Sequence, residues 1–233
     1  MAALPGGTVT LAFTDIEGST FLLRRLSDRY GEVLAVHRRI VRDAFGAGGG
    51  VEVDRQGDAF FFAFPRARDA VCAAVEAQRE HEAASWPEGA TVRVRIGLHT
   101  GEPIVGAEGY LGIDVVKGAR ICSLARGGQI LLSETTHALV ASALPAGVIA
   151  HPAGERQLKD VDEPELLYLL AAGSSDAAAR RLALPASWER EIGERFGSVG
   201  AGLVNRISEH LAEHDNLEHL IGRAVTVAQG NRP

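Results

Sequence analysis

The chain has 233 residues, of which 46% are hydrophobic and 23% charged, and its formal net charge is −6. This is the composition of an ordinary globular protein, and the negative charge argues against a nucleic-acid partner, which needs a basic surface. No apolar stretch approaches the roughly 18 residues of a membrane span, and the N-terminus lacks a secretory leader. We therefore expect a cytoplasmic protein without a membrane span, with Cys72 and Cys122 as buried free thiols.

The hydrophobic pattern predicts strands and helices in alternation. In chain order they are a strand over 8–14, one long helix from an N-cap at Ser19 or Thr20 to the glycine cluster at 46–50, a hairpin of strands over 51–54 and 59–64, a helix over 66–84, a strand over 92–96, a helix over 112–125, a strand over 129–132, a helix over 133–142 capped by Ser133, and a two-strand unit over 148–170. The opening order of strand, helix, strand, strand, helix and strand predicts an α+β fold, a ferredoxin-like split βαβ sheet with helices packed on it.

Beyond residue 172 the composition changes to polar, helix-forming sequence without strand signals. We place the main domain over 1–172 and a helical C-terminal tail over 173–233, with its helical part from Asp176 to about Gln229. The spaced apolar residues of this tail suit packing on the domain, a larger dimer interface or docking of another protein. Its role stays open at this point.

A carboxylate follows the first predicted strand and precedes a glycine turn and a helix start, in the segment Asp15-Ile16-Glu17-Gly18-Ser19-Thr20. The free N–H groups of such a helix start, at Gly18, Ser19 and Thr20, can hold phosphate oxygens. Asp15 beside them suits Mg²⁺, which prefers oxygen ligands and shares them with substrate phosphates. On local pattern alone, simple helix capping by Asp15 is an equally good interpretation.

A second carboxylate, Asp58, lies in the turn of the predicted hairpin, directly before an apolar strand. If this hairpin pairs beside the first strand, Asp58 and Asp15 approach each other at one edge of the sheet. Two carboxylates that share a site repel each other unless a cation joins them, which favours a two-metal arrangement. Considered without Asp15, Asp58 is an ordinary Gly-Asp turn.

Five segments occur in an order and spacing that resemble the catalytic domain of class III adenylate and guanylate cyclases, of an actinobacterial type. They are Phe13-Thr14-Asp15-Ile16-Glu17-Gly18-Ser19-Thr20, Gln56-Gly57-Asp58-Ala59-Phe60, Arg95-Ile96-Gly97-Leu98-His99-Thr100-Gly101, Ala119-Arg120-Ile121 and Gly127-Gly128-Gln129-Ile130-Leu131-Leu132-Ser133. The resemblance covers about residues 8–170. It implies a nucleotidyl cyclase that converts ATP or GTP into the 3′,5′-cyclic nucleotide and pyrophosphate in intracellular signalling.

The resemblance also implies roles for single residues. Asp15, Asp58 and the backbone carbonyl of Ile16 match the ligands of two Mg²⁺ or Mn²⁺ ions per active site. Arg120 matches the arginine that stabilises charge on the phosphoryl oxygens in the transition state, with a helix-face ion pair as its alternative role. Lys159 lies near a phosphate-binding position. Because family sites form between two catalytic domains, the resemblance implies a homodimer in which one chain supplies the aspartates and its partner Arg120.

Three positions depart from the family pattern. Asp54 stands where adenylate cyclases have the lysine that reads adenine, Gly109 where they have its aspartate partner, and Val116 where they have the asparagine that orients the ribose. Asp54 can accept hydrogen bonds from an exocyclic amine or from the N1–H and N2 groups of guanine, but it cannot donate to adenine N1. A misplaced ribose lowers the rate, so we expect reduced turnover.

Each departure also has a structural interpretation, with Asp54 as a solvent-exposed strand end and Val116 as a packing residue. Together the departures support an alternative function, that of a degenerate cyclase-homology module that binds nucleotide or a partner and regulates without turnover. His99 is interpreted as a packed, hydrogen-bonded histidine at a strand end rather than as a catalytic base. The preferred base stays open.

Overall fold

The computed structural model of the chain describes residues 3–107 and 109–172, so the predicted tail from Asp176 lies outside the described residues. The strands are β1 (Val9–Ile16), β2 (Val51–Gln56), β3 (Ala59–Phe64), β4 (Val94–Gly101), β5 (Ile104–Gly106), β6 (Gly109–Leu111), β7 (Ile130–Ser133), β8 (Val148–Arg156) and β9 (Glu165–Ala172). The helices are α1 (Ser19–Leu26), α2 (Tyr30–Ala47), α3 (Ala67–Ala83), α4 (Ile113–Leu124) and α5 (Glu134–Val140). None of these helices is long and apolar enough to cross a bilayer.

Seven strands form one sheet in the order β2-β3-β1-β4-β7-β9-β8, and β5 and β6 form a separate hairpin. Every neighbouring pair in the large sheet is antiparallel except β4 and β7, which are parallel. The order β2-β3-β1-β4, with helices after β1 and after β3, is the ferredoxin-like unit. The predicted α+β fold is therefore confirmed.

Strand β1 divides the core into two layers because its side chains alternate between the faces of the sheet. Ala12 and Ile16 face the larger layer, formed with α2 and α3. Leu11 and Phe13 face the layer formed with α4, where Phe13 stacks on Phe61 with ring centroids 4.3 Å apart. Asp15 continues this second set, so its side chain lies on the α4 face at the end of the strand.

Two glycines allow α4 to lie directly against the sheet. A Cβ atom on Gly97 would be 2.2 Å from the backbone nitrogen of Cys122, and one on Gly118 would be 2.7 Å from the ring of Phe13. Neither backbone nor a packed ring can give way by that much, so only glycine fits. This close contact fixes α4, which carries Val116 and Arg120, relative to β1 and β4.

The single long helix predicted after β1 is wrong. α1 ends at Leu26, a 3₁₀ turn covers Ser27–Arg29, and Ser27 has a φ of 46° that interrupts the helix before α2 begins. The apolar spacing misled the prediction because the residues on both sides of the break are buried, namely Leu22, Leu26, Tyr30 and Val33.

Several smaller predictions can also be compared with the structure. The N-cap of α1 is Gly18 rather than Ser19 or Thr20, because a left-handed residue with φ of 68° makes the turn from β1. Ser133 caps α5 as predicted, with its hydroxyl accepting from the N–H of Thr136. Cys122 is buried as predicted, whereas Cys72 is exposed on α3, so that prediction is wrong. The β5–β6 hairpin was not predicted.

Candidate active site

The structure brings Asp15 and Asp58 together. Asp15 lies one residue before the end of β1 and Asp58 directly precedes β3, and the pairing of these strands places the two carboxyl groups side by side. The Ile16 N–H donates to Asp58 Oδ2 at 3.0 Å, which ties the hairpin turn to β1. Burial of Asp58, followed by repulsion from the negative charge of Asp15, raises the pKa of Asp58 to about 7.

A histidine pair holds the backbone of Asp58 from the α2 side. His37 Nε2 lies 2.8 Å from the carbonyl oxygen of Asp58, and His37 Nδ1 lies 2.9 Å from Nε2 of His81 on α3. His81 Nδ1 in turn lies 2.6 Å from the carbonyl oxygen of Ala77. Burial and then the charge of His81 lower the pKa of His37 to about 3, so this ring is neutral at pH 7. The turn is thereby connected to two helices.

Asp15 has a cationic partner that the sequence analysis missed. Arg95 on β4 lies opposite Asp15 in the β1–β4 register, and its Nη2 donates to Asp15 Oδ2 in an ion pair. Both side chains are mostly buried, with 14% of Arg95 and 21% of Asp15 exposed. The alternation of Arg93 and Arg95 with apolar residues was visible in the sequence, but only the strand register reveals which arginine meets Asp15.

Tyr30, at the start of α2, is a second residue missed by the sequence analysis. Burial, followed by the charge of Asp58, raises the pKa of Tyr30 to about 12, while a hydrogen bond with the Ser19 side chain opposes the rise. This bond connects α2 with the helix start formed by Gly18, Ser19 and Thr20. The predicted phosphate-binding turn is thus held against the element that also carries His37.

The predicted base-recognition positions, Asp54 and Gly109, lie in the same region of the fold. A β-bulge between Glu52 and Asp54 changes the register of β2, and Asp54 pairs with Phe61, whose ring lies on the α4 face. A Cβ atom on Gly109 would be 3.3 Å from Val53, so β6 and β2 lie close together. Asp54 is half-buried and accepts a hydrogen bond from the Arg55 N–H. Because β2 continues to Gln56, Asp54 does not end the strand, so the interpretation as a strand end is wrong.

The ribose position, Val116, is part of the hydrophobic core. Its side chain is 8% exposed and packs in a cluster that includes Leu131, Leu158 and Leu169. This agrees with its interpretation as a packing residue. The amide that family enzymes place here has no counterpart at this position in this chain.

Arg120 on α4 contacts the β8–β9 loop that carries Lys159. Arg120 Nε donates to the carbonyl oxygen of Lys159 at 3.2 Å, and Arg120 Nη2 pairs with the carboxylate of Asp160. The Arg120 side chain is only 19% exposed, whereas Lys159 is exposed. Within one chain, therefore, the described contacts connect Arg120 to the β8–β9 loop and not to Asp15 or Asp58.

His99 is a packed histidine, as predicted. It is 2% exposed, and its Nε2 lies 3.0 Å from Asp114 Oδ1 on α4. Asp114 Oδ2 accepts in addition from the Glu102 N–H at 3.0 Å. These bonds fasten the end of β4 to α4.

The residues at the aspartate pair fit a metal that is shared with a substrate. Over residues 3–107 and 109–172, no group of three or more His, Cys, Asp or Glu side chains could hold a metal ion. Asp15 and Asp58 supply carboxylate oxygens that repel each other, and Mg²⁺ commonly binds one or two carboxylates plus substrate phosphates and water. The donor set therefore suits Mg²⁺ or Mn²⁺ in the presence of a triphosphate rather than a protein-enclosed metal.

Comparison with known proteins agrees with this architecture. The family model described as Adenylate and Guanylate cyclase catalytic domain matches residues 1–171. The chain belongs to this family, the class III nucleotidyl cyclases. An uncharacterised protein of Mycobacterium tuberculosis is 39% identical over 168 residues, which cover 71% of this chain and 56% of that protein. The chain thus spans about half the length of this relative.

Named cyclases are more distant. The adenylate cyclase of Lachancea kluyveri is 35% identical over 156 residues, which cover 56% of this chain and 8% of that enzyme. An adenylate cyclase of Trypanosoma brucei, solved in its monomeric state, superimposes with a TM-score of 0.63 at 27% identity over 70% of this chain and 89% of that one. The guanylate cyclase domain of Catenaria anguillulae, solved with GTP, gives 0.63 at 21% identity over 72% and 98%, a likeness of fold alone.

Proposed function

We propose that this chain is a nucleotidyl cyclase that converts ATP or GTP into the 3′,5′-cyclic nucleotide and pyrophosphate. The observation that carries the proposal is the side-by-side placement of Asp15 and Asp58 in a domain of the cyclase family. Neither helix capping nor a simple turn requires the two carboxylates to be adjacent. Their mutual repulsion is costly, and a shared cation removes that cost.

We assign the binding of two Mg²⁺ or Mn²⁺ ions to Asp15, Asp58 and the backbone carbonyl of Ile16. Ions held by these residues would neutralise phosphate charge and would lower the pKa of the ribose 3′-hydroxyl. We assign triphosphate binding to the N–H groups at the start of α1, at Gly18, Ser19 and Thr20, because the positive end of a helix dipole favours phosphate.

In the proposed reaction the 3′-oxygen of the ribose attacks the α-phosphorus, and the bond from that phosphorus to the bridging oxygen of the β-phosphate breaks. The 3′-hydroxyl loses its proton to solvent water, and pyrophosphate leaves. Negative charge builds on the α-phosphoryl oxygens, where the guanidinium of Arg120 stabilises it. We assign contact with the leaving phosphates to Lys159, which is exposed on the β8–β9 loop that Arg120 contacts. In place of a lysine, Asp54 offers a carboxylate to the base, which favours guanine.

Substitution of one aspartate tests the metal chemistry. In Asp58→Asn the amide oxygen can still accept from Ile16, but the charge is lost, so product formation with Mn²⁺ should fall by at least about 100-fold. Asp43→Asn removes the same charge from an exposed site on α2 and should leave the rate unchanged. Both cyclic products are measured with ATP and with GTP. A wild-type chain that yields neither product would refute the proposal.

Mixing two inactive variants tests the proposed homodimer. Within the described residues the hydrogen bonds of Arg120 go to its own β8–β9 loop and not to Asp15 or Asp58, which supports sites completed by a second chain. Asp58→Asn and Arg120→Ala should each be inactive alone, whereas an equimolar mixture of exchanging subunits should recover about a quarter of wild-type activity, because half of the dimers contain one intact site. No recovery, after subunit exchange has been verified, would exclude a shared site.

A second candidate function is supported by Val116. Because this side chain is committed to the core, the ribose is not oriented from that position, and a module that binds nucleotide or a partner without turnover is the alternative. Calorimetry with a non-cyclisable triphosphate and Mn²⁺, alongside the activity assay, separates the two functions. Binding without product favours the regulatory module.

A further inference from the structure

An arginine, Arg95, lies beside the aspartate pair and forms an ion pair with Asp15. Arg95 and Asp15 face each other across β4 and β1, and the guanidinium donates to one carboxylate oxygen of Asp15. An inference about this pair rests on the proposed function, because it concerns how the proposed metal site is loaded. The inference goes beyond the proposed function because it assigns Arg95 a role in metal binding by the aspartate pair.

The backbone on both sides of the ion pair is fixed. Cys122 on α4 donates its Sγ–H to the carbonyl oxygen of Arg95 at 3.7 Å, and the tight contact between Gly97 and Cys122 leaves no room for β4 to shift. Asp15 lies in β1, which pairs with strands on both sides. The fixed backbone positions of Arg95 and Asp15 therefore keep the guanidinium next to the Asp15 carboxylate.

The charge of Arg95 is permanent. Burial opposes this charge, but the carboxylates of Asp15 and Glu17 act in the other direction, and the pKa of Arg95 lies above its ordinary value. A guanidinium does not lose its proton in proteins. A divalent cation that binds Asp15 must therefore either displace Arg95 from one oxygen or approach the other oxygen next to a fixed positive charge.

Either route weakens metal binding, because like charges a few ångströms apart in a partly buried site repel appreciably. We propose that Arg95 is a built-in counter-ion of Asp15 that competes with divalent cations and sets the metal concentration at which the aspartate pair is loaded. In the absence of metal it stabilises the pair by neutralising Asp15. When a metal ion binds, Arg95 would release one carboxylate oxygen of Asp15 and act as a positioning residue.

Metal binding without nucleotide tests this inference independently of catalysis. Mn²⁺ affinity is measured by calorimetry and by the loss of the free-Mn²⁺ electron paramagnetic resonance signal. Arg95→Met, which keeps much of the buried aliphatic volume but removes the charge, should bind Mn²⁺ about tenfold more tightly than wild type, a change that corresponds to one close charge at intermediate dielectric. The rise in melting temperature on adding Mn²⁺ should also be larger in this variant.

Arg93→Met is the matched control. Arg93 lies two residues away on the approach to β4 and is exposed, so its loss changes the net charge equally without touching a buried ion pair. Its Mn²⁺ affinity should stay within about threefold of wild type, because exposed charges are screened. Arg95→Lys keeps the charge and should also stay within about threefold, which provides a test even if Arg95→Met does not fold.

The outcomes separate the inference from the proposed function. Unchanged or weaker Mn²⁺ binding by Arg95→Met would overturn the inference, since it would mean that Arg95 holds Asp15 ready for the metal. Tenfold tighter binding by Arg95→Lys would also overturn it. If wild type and all variants bind no Mn²⁺, with or without triphosphate, the proposed metal site itself is wrong, and the inference is refuted with it.

Discussion

The two sides of the candidate site differ in how they are built. On the metal side, defined by Asp15, Asp58, His37 and Arg95, each polar side chain is bonded to a residue on a different element. On the recognition side, defined by Asp54, Gly109 and Val116, one side chain is missing and another is buried in the core. The difference teaches that the fold holds the proposed metal side in place by contacts that the proposed recognition side lacks.

Replacing His37 tests whether the metal side depends on its buried support. His37→Ala removes a fully buried ring and leaves the Asp58 carbonyl and His81 without that partner, so the free energy of unfolding should fall by about 2–4 kcal/mol. Urea unfolding measures the loss. His151→Ala, at a half-buried site on β8, should cost less than about 1 kcal/mol. Equal losses in both variants would contradict the special role of His37.

Val116→Asn tests the recognition side. An amide placed in the apolar cluster around Val116 should lower the free energy of unfolding by about 1–3 kcal/mol, because its polar groups lose water. If the amide reaches the ribose, turnover should nevertheless rise several-fold, since a better-positioned substrate reacts faster. Ile113→Asn, at an exposed site on the same helix, is the control for both measurements. A stability loss without any gain in turnover would favour the regulatory module.

The pH dependence of stability tests the burial of Asp58. The folded carboxyl has a pKa of about 7, above its unfolded value, so it keeps a proton that the unfolded chain has released. Its stabilising contribution is fully present at low pH and is lost as the pH rises through 7. In EDTA, the stability of wild type relative to Asp58→Asn should fall by about 1.4 kcal/mol between about pH 6 and about pH 8.

This comparison is made between two variants because His37 acts in the opposite sense. Its pKa is lowered by burial, so its contribution to stability increases as the pH rises. That contribution is common to wild type and Asp58→Asn and cancels in the difference. A flat difference across this range would show that Asp58 is not buried as a protonated group.

The smallest effect is expected at the rim of the metal side. Arg42 pairs with Glu52 at 2.7 Å and lies over the ring of Phe60, but both charged side chains are substantially exposed. Arg42→Met should therefore change the free energy of unfolding by no more than about 1 kcal/mol, and added salt should reduce the difference. A larger loss in the free energy of unfolding, measured by urea unfolding, would contradict this expectation and show that the exposed Arg42–Glu52 pair also stabilises the metal side.

Much of the fold could be predicted from periodicity. The core strands β1 and β3, the hairpin turn at Asp58 and helix α3 follow from local patterns of apolar residues and glycines. The break at Ser27 could not be predicted, because the buried spacing of α1 continues into α2. Burial pattern alone does not distinguish one helix from two that share a core-facing side.

Part of the site could also be predicted from local sequence patterns. Asp15 lies near the end of β1 and Asp58 lies in the turn before β3, and local sequence reveals both positions. The residues that hold these carboxylates in place cannot be predicted from local sequence. Arg95 is 80 residues from Asp15, and His81 is 44 residues from His37. Such partners depend on strand register and on helix packing, which a single sequence does not specify. The roles of Arg120, Lys159 and Asp54 stay predictions.

His37 and His81 together carry one N–H hydrogen fewer than their hydrogen bonds require. Three contacts run from the Asp58 carbonyl through His37 and His81 to the Ala77 carbonyl, and each needs one N–H hydrogen. Two neutral imidazoles carry only two, and the lowered pKa values keep both rings neutral at pH 7. The pair can therefore donate to Asp58 or to Ala77, but not to both while the rings remain bonded to each other. The bond that anchors the Asp58 turn thus depends on a choice of tautomer.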